Sequence, residues 1–179
     1  MNRPANRFLL KPISLAVAAS ILFPTTIANA QSNEEEVIEN CKTVCQLTHH
    51  DPRCVDSCQI HGLIIARELN GGDTNLQSIL NAIPNLDKRT LEYIETNFTE
   101  DISTLNLDDK NTWGYTLKSL CAGLWGYYYA ESFEQGLKAI IMEGGDADTN
   151  GCIAGSLMGA KFQNIPKIWI DGLFKKIKI

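Results

Sequence analysis

This sequence of 179 residues has no basic surplus, no sustained alternation of apolar and polar residues, and no long apolar run. Its formal net charge is −5, so neither nucleic acid nor an anionic lipid surface is an electrostatic partner. Apolar residues recur at helical spacing nearly everywhere, which excludes sheet-based folds and the βαβ unit of doubly wound proteins. No internal repeat appears, so a solenoid is excluded as well. The clearest apolar run, Ile13 to Phe23, is shorter than the ~20 residues a bilayer-spanning helix needs.

That short run sits where a secretory signal would. Arg3, Arg7 and Lys11 form a basic start, Ile13 to Phe23 an apolar middle, and Ala28-Asn29-Ala30 a small-x-small cleavage pattern. Residues 1–30 are read as a signal peptide cleaved before Gln31, with an uncleaved anchor as the alternative. Cleavage removes three basic residues, leaving 13 basic against 21 acidic, a balance of −8. Residues 31–179 then form one domain, exported to the periplasm or beyond, with no integral membrane segment.

The cysteines fit an oxidising compartment. Cys41 and Cys45 lie four apart, as do Cys54 and Cys58, so each pair shares a helix face. Pro52 breaks the chain between them. In an antiparallel hairpin, facing residues keep a constant index sum. Cys41 with Cys58 and Cys45 with Cys54 both sum to 99, which predicts two disulfides stapling the hairpin. A four-cysteine zinc site is the rival. Cys121 and Cys152 fall in apolar stretches and are expected to be buried thiols, or a third bridge.

The helical pattern predicts a hairpin over 34–47 and 53–69, ended by Asn70-Gly71-Gly72. Further helices are expected near 74–82 and 87–97, with a polar loop over 100–112. Trp113 to Tyr129 is apolar all round and reads as a buried helix. Ser132 caps the next, 132–143, and Pro166 starts the last. The fold class is all-α. Trp113, Trp125 and Tyr127 to Tyr129 serve the core or line a ligand pocket.

The most pointed segment is Gly144-Gly-Asp-Ala-Asp-Thr-Asn-Gly151. Asp146, Asp148, Thr149 and Asn150 bring oxygen side chains together among glycines, the donor chemistry of Mg²⁺ or Ca²⁺. The competing reading is a helix N-terminus capped by Asp148 or Thr149. Gly151, Gly155 and Gly159 then recur every four residues, giving a helix face that a neighbour can approach closely. Asp146-x-Asp148-x-Asn150-Gly151 matches the start of an EF-hand loop, but the twelfth position is Leu157 where a bidentate Glu is needed. That reading fails.

Gly144 to Gly159, preceded by Leu124-Trp125 and Ser132-Phe133-Glu134, resembles the C-terminal signature of the ADP-ribosylglycohydrolases, the dinitrogenase reductase-activating glycohydrolase type. Leu47-Thr48-His49-x-Asp51-Pro52 is similar to the Thr-His segment of that family. The likeness covers roughly residues 44–174. It implies a compact helical domain with two Mg²⁺ ions at the base of an ADP-ribose cleft. Asp146, Asp148 and Thr149 match metal ligands, and His49 matches a position lining the substrate cleft. The implied partner is ADP-ribose or ADP-ribosylated protein.

The departure is on the N-terminal side, where family members carry a Gly-Asp element, a Glu and a Thr-Asp-Asp-Thr run. Nothing upstream of Cys41 resembles these, and Asp108-Asp109, the only Asp-Asp pair, reads as solvated loop. The domain is thus expected to be partial, truncated at its N-terminal side. Two functions follow. One is an exported Mg²⁺-dependent hydrolase whose missing half-site comes from a partner chain. The other is a non-catalytic secreted helical module.

Overall fold

Short polar side chains punctuate this chain, and each starts a helix. The computed structural model describes residues 33–175, with side chains to residue 172. The proposed signal peptide lies outside these residues. Asn33, Asp51, Asn75, Asp87 and Ser132 each accept a first-turn backbone N–H, opening α1 (Glu34–Gln46), α2 (Pro52–Asn70), α3 (Leu76–Ala82), α4 (Lys88–Asn97) and α6 (Phe133–Met142). Between α4 and α6 lies α5 (Thr116–Tyr128); α7 (Ala147–Phe162) and α8 (Lys167–Lys175) complete the chain. The described residues contain no strand, so the all-α class holds.

The layering follows from α5. All but its last residue is buried, and α7 lies along it in the largest helix–helix interface. Helix α2 packs across both, α1 folds back on α2, and α6 covers α7. Ile60, Leu63, Ile64, Leu117, Leu120, Leu124, Ile140, Leu157 and Met158 fill the space between them. Burying one such side chain stabilises by about 2 kcal/mol, so this layer dominates over surface ion pairs.

The close approaches are made elsewhere than the glycine spacing predicts. A Cβ at Gly151, Gly155 or Gly159 would meet neighbours only at 3.4–3.9 Å, ordinary contact. At Gly123 of α5 it would lie 3.0 Å from Ile153 Cγ2, and at Gly136 of α6 it would lie 2.5 Å from both Ala130 Cβ and Met158 Sδ. The α7 stripe faces long side chains of α6, and the true crossings use single glycines in α5 and α6.

Three further expectations change. Helix α5 starts at Thr116, not Trp113, and Trp113 is 52% exposed. Trp125 and Tyr127 are core residues, whereas Tyr129 is exposed. Cys121 is a buried thiol, but Cys152 is exposed.

The predicted bridges Cys41–Cys58 and Cys45–Cys54 are not formed: all six cysteines are free. Cys45 meets Cys58, and Cys41 sits over Gly62, one helical turn further along α2 than the predicted facing. The cause is geometric. Side chains lean towards the N-terminus of their own helix, so in an antiparallel pair the two sets lean in opposite directions in space. The facing register is thereby offset from the backbone midpoint. A four-cysteine zinc site is not assembled either, because no group of three or more His, Cys, Asp or Glu among the described residues is placed to hold a metal.

Candidate metal centre

Why the acidic motif needs two glycines is answered by its backbone. Gly144 and Gly145 have φ of +77° and +64°, a region that L side chains rarely adopt. A Cβ at Gly145 would lie 1.9 Å from the Leu107 carbonyl oxygen. The turn is thus pressed directly onto the 107–108 backbone. That loop is itself anchored: the buried Lys118 ammonium donates to the Asn106 carbonyl oxygen and lies 4.0 Å from Asp109.

Asp146 then occupies the N-cap position of α7, but its side chain makes no capping bond to the first-turn amides. Its Oδ1 accepts from Thr149 Oγ1 at 3.0 Å, and the residue is 4% exposed. The cap reading expected Asp148 or Thr149 at that position, which Asp146 occupies instead. Asn150, one of the four candidate oxygens, turns inward and accepts from Ser119 Oγ at 2.8 Å, locking the start of α7 to α5. Asp148 is exposed, one turn before the exposed Cys152. Partial burial first, and then the Asp148 carboxylate, raise the Cys152 thiol pKa.

Sequence reasoning missed the floor beneath this motif. Gly114, with φ +76°, passes beside Asp146, so that a Cβ there would be 3.7 Å from Asp146 Oδ2. Trp113 Nε1 donates to the Asp108 carbonyl oxygen at 3.1 Å, holding the exposed indole over the same loop. Asp108 is exposed but lies against Gly144, and Asp109 caps the Lys110–Thr112 turn through Asn111 N–H. The available signal was Gly114 itself, a glycine between aromatics just before a largely apolar stretch.

His49 lies on the turn between α1 and α2. Its Nδ1 is buried and has no hydrogen-bond partner, while its carbonyl oxygen accepts from Cys45 Sγ at 3.7 Å. Asp51 caps α2 and pairs with Arg53 (Nη2 to Oδ2, 2.6 Å). The Arg53 guanidinium, helped by Arg89, holds the Asp51 carboxyl well below the usual carboxylate range. Arg53 also reaches Tyr115, donating to its hydroxyl at 3.5 Å with the guanidinium carbon 5.6 Å from the ring centre. Tyr115 follows Gly114. The two segments singled out in the sequence are therefore joined through Arg53, Tyr115 and Gly114.

The donors at the start of α7 are all oxygens, two carboxylates and a hydroxyl, which suits Mg²⁺ in kind. Three such donors would fill only one side of an octahedral shell and leave the rest to water or to other groups.

Residues 14–179 match the family model described as ADP-ribosylglycohydrolase. The chain belongs to the ADP-ribosylglycohydrolase family. It is 28% identical over 160 residues to the ADP-ribosylarginine hydrolase Tri1 of Serratia proteamaculans (strain 568), covering 87% of this chain and 42% of that protein. It is 32% identical over 83 residues to the putative ADP-ribosyl glycohydrolase L543 of Acanthamoeba polyphaga mimivirus, covering 46% of this chain and 25% of that one. An uncharacterized protein of Archaeoglobus fulgidus is 26% identical over 109 residues. The chain spans less than half the length of each of these relatives.

Proposed function

We propose that this family member is an exported, Mg²⁺-dependent hydrolase of an ADP-ribosyl glycosidic bond. Asp146, Asp148 and Thr149 would hold the metal, and His49 would line the substrate cleft. The observation that carries the proposal is the start of α7. A strained Gly-Gly turn pressed on the Leu107 backbone presents a nearly buried carboxylate that does not cap its helix. A helix start needing only a cap would not require that construction.

When bound, Mg²⁺ would supply Lewis acidity and orientation for the ribose hydroxyls and a water. The protein's own residues would do the rest. Asp146 and Asp148 would provide negative charge at a fixed place. Thr149 keeps the Asp146 carboxylate oriented through its hydrogen bond. Polar contacts from the His49 turn would fix the scissile C1″ bond against the activated water. The name of the Serratia relative makes ADP-ribosylarginine the first substrate to test.

A second reading has its own support. No group of three or more His, Cys, Asp or Glu among the described residues is placed to hold a metal, and the Thr-Asp-Asp-Thr half-site has no counterpart in the sequence. On that reading the chain is a non-catalytic helical module, or becomes active only when a partner chain supplies the missing carboxylates.

Isothermal titration of the purified chain with Mg²⁺ and then ADP-ribose separates the two. Binding of both, with release of arginine from ADP-ribosylarginine that is lost in Asp146→Ala and Asp148→Ala, supports the hydrolase. No binding of either at millimolar concentration removes it for the isolated chain. Activity rising more steeply than protein concentration points to a site completed between chains.

A further inference from the structure

We propose that Cys45 and Cys58 are a redox-active thiol pair that closes to a single helix-to-helix disulfide and thereby loosens the turn carrying His49. Cys45 lies in the last turn of α1 and Cys58 in the second turn of α2, and Cys41 seated over Gly62 sets the helix register that brings Cys45, one turn on, opposite Cys58, one turn back. The outer two cysteines have other neighbours. Cys41 Sγ sits in a notch only 2.3 Å from where a Cβ on Gly62 would be, and Cys54 lies in the first turn of α2, its amide donating to the Asp51 carbonyl oxygen at 2.9 Å. Pairing Cys41 with Cys58 and Cys45 with Cys54 would require α1 to slide a full turn along α2 against the buried Gln59 to Ile38 carbonyl hydrogen bond at 3.2 Å.

The electrostatics divide the roles in the same way. The bond donated by Cys58 lowers the Cys45 pKa, making Cys45 the better thiolate. Cys58 is raised, by that same bond and by burial. Burial pushes Cys41 up to about 12, so it stays protonated.

The oxidant is a small disulfide, of the glutathione-disulfide class. Cys45 thiolate attacks one of its sulfurs, breaking that S–S bond, forming a mixed disulfide and expelling one thiolate. Cys58, losing its proton to solvent, then attacks Cys45 Sγ and expels the second thiolate. Two protein thiols are oxidised and one disulfide is reduced to two thiols.

The consequence lies at Cys45. As a thiol it donates to the His49 carbonyl oxygen at 3.7 Å. As half of a disulfide it has no proton to donate, so the Thr48–His49 turn keeps only its bonds to the Cys45 carbonyl oxygen, from the two amides at 3.1 and 2.9 Å and from the Thr48 hydroxyl at 3.3 Å. Its bearing on the cleft rests on the reading of His49 given above; the thiol pair itself does not.

The test uses the full chain, equilibrated in glutathione buffers from reducing to oxidising, alkylated and mapped by peptide mass. The expected result is one linkage, Cys45–Cys58, lost in Cys45→Ser and Cys58→Ser and retained in Cys41→Ser and Cys54→Ser. A Cys41–Cys58 or Cys45–Cys54 linkage, or no linkage in the most oxidising buffer, overturns the pair. Mapping the unsubstituted chain decides this even if a variant fails to fold. Amide hydrogen exchange at Thr48 and His49 is expected to quicken roughly fivefold on oxidation, the loss of one weak hydrogen bond of about 1 kcal/mol. Unchanged exchange in a bridged sample overturns the loosening. Neither readout needs metal or substrate, so failure here is distinct from failure of the hydrolase reading.

Discussion

The start of α7 and the turn before α2 both carry residues of the proposed site, and they are built in opposite ways. At α7 the acidic motif is fixed by distant chain: Leu107 beneath Gly145, Ser119 on Asn150, and Gly114 beside Asp146. At α2 the turn is fixed by near neighbours: Asp51 on the Arg53 amide and guanidinium, and Cys45 on His49. Long-range burial makes the first rigid and costly to disturb. Local polar contacts leave the second adjustable. The contrast suits a site in which one wall holds charge and the other responds to a ligand.

Four substitutions or conditions would break or sharpen this contrast. The largest effect is expected from Gly145→Ala. A methyl 1.9 Å from the Leu107 oxygen at φ +64° adds backbone strain to overpacking, roughly 4 kcal/mol in urea denaturation. A loss below 1 kcal/mol would mean that the turn is not pressed onto the loop.

The next bears on His61, which joins the two regions by linking α2 to α7. Its Nε2 lies 2.7 Å from Ser156 Oγ, and burial lowers its pKa to about 4. The unfolded chain binds a proton near pH 6.5 that the folded chain refuses until about 4. Stability from this group is therefore complete above pH 6.5 and lost as pH falls to 4, about 3 kcal/mol in all. Urea titrations at pH 7 and pH 4.5 are expected to differ more for the unsubstituted chain than for His61→Gln. Equal differences would remove His61 as the cause.

Asn150→Ala should cost about 2 kcal/mol, because the buried Ser119 hydroxyl loses its acceptor. Mg²⁺ affinity by titration should weaken with it as the start of α7 loosens. Unaltered affinity would show that the carboxylates are held without this bond. The smallest effect is expected at the adjustable end. Asp51→Ala removes the cap of α2 for about 1 kcal/mol in thermal or urea unfolding and leaves Mg²⁺ affinity unchanged. A matching loss of Mg²⁺ affinity would show that the two regions are one cooperative unit.

Much of the fold was legible. Helix starts at Asn33, Asp51, Asp87 and Ser132 are local chemistry, a short side chain bonding an amide two or three residues on. The buried character of α5 was visible because its apolar residues show no polar face. The motif and its family were legible because Gly144 to Gly151 is contiguous. The cysteine pairing was not, since facing residues depend on how two helices settle against each other. Nor was the role of Asp108, Trp113 and Gly114, which lie thirty or more residues before the motif they support.

By itself the sequence determined that the chain is helical, where most helices begin, and which family it joins, because capping, periodicity and a contiguous motif act within a few residues. Only the tertiary structure decided that Asp146 faces inward without capping α7, that Asn150 serves the packing, and that Cys45 meets Cys58. Those outcomes depend on which backbone lies opposite, and close packing leaves each buried side chain a single partner there.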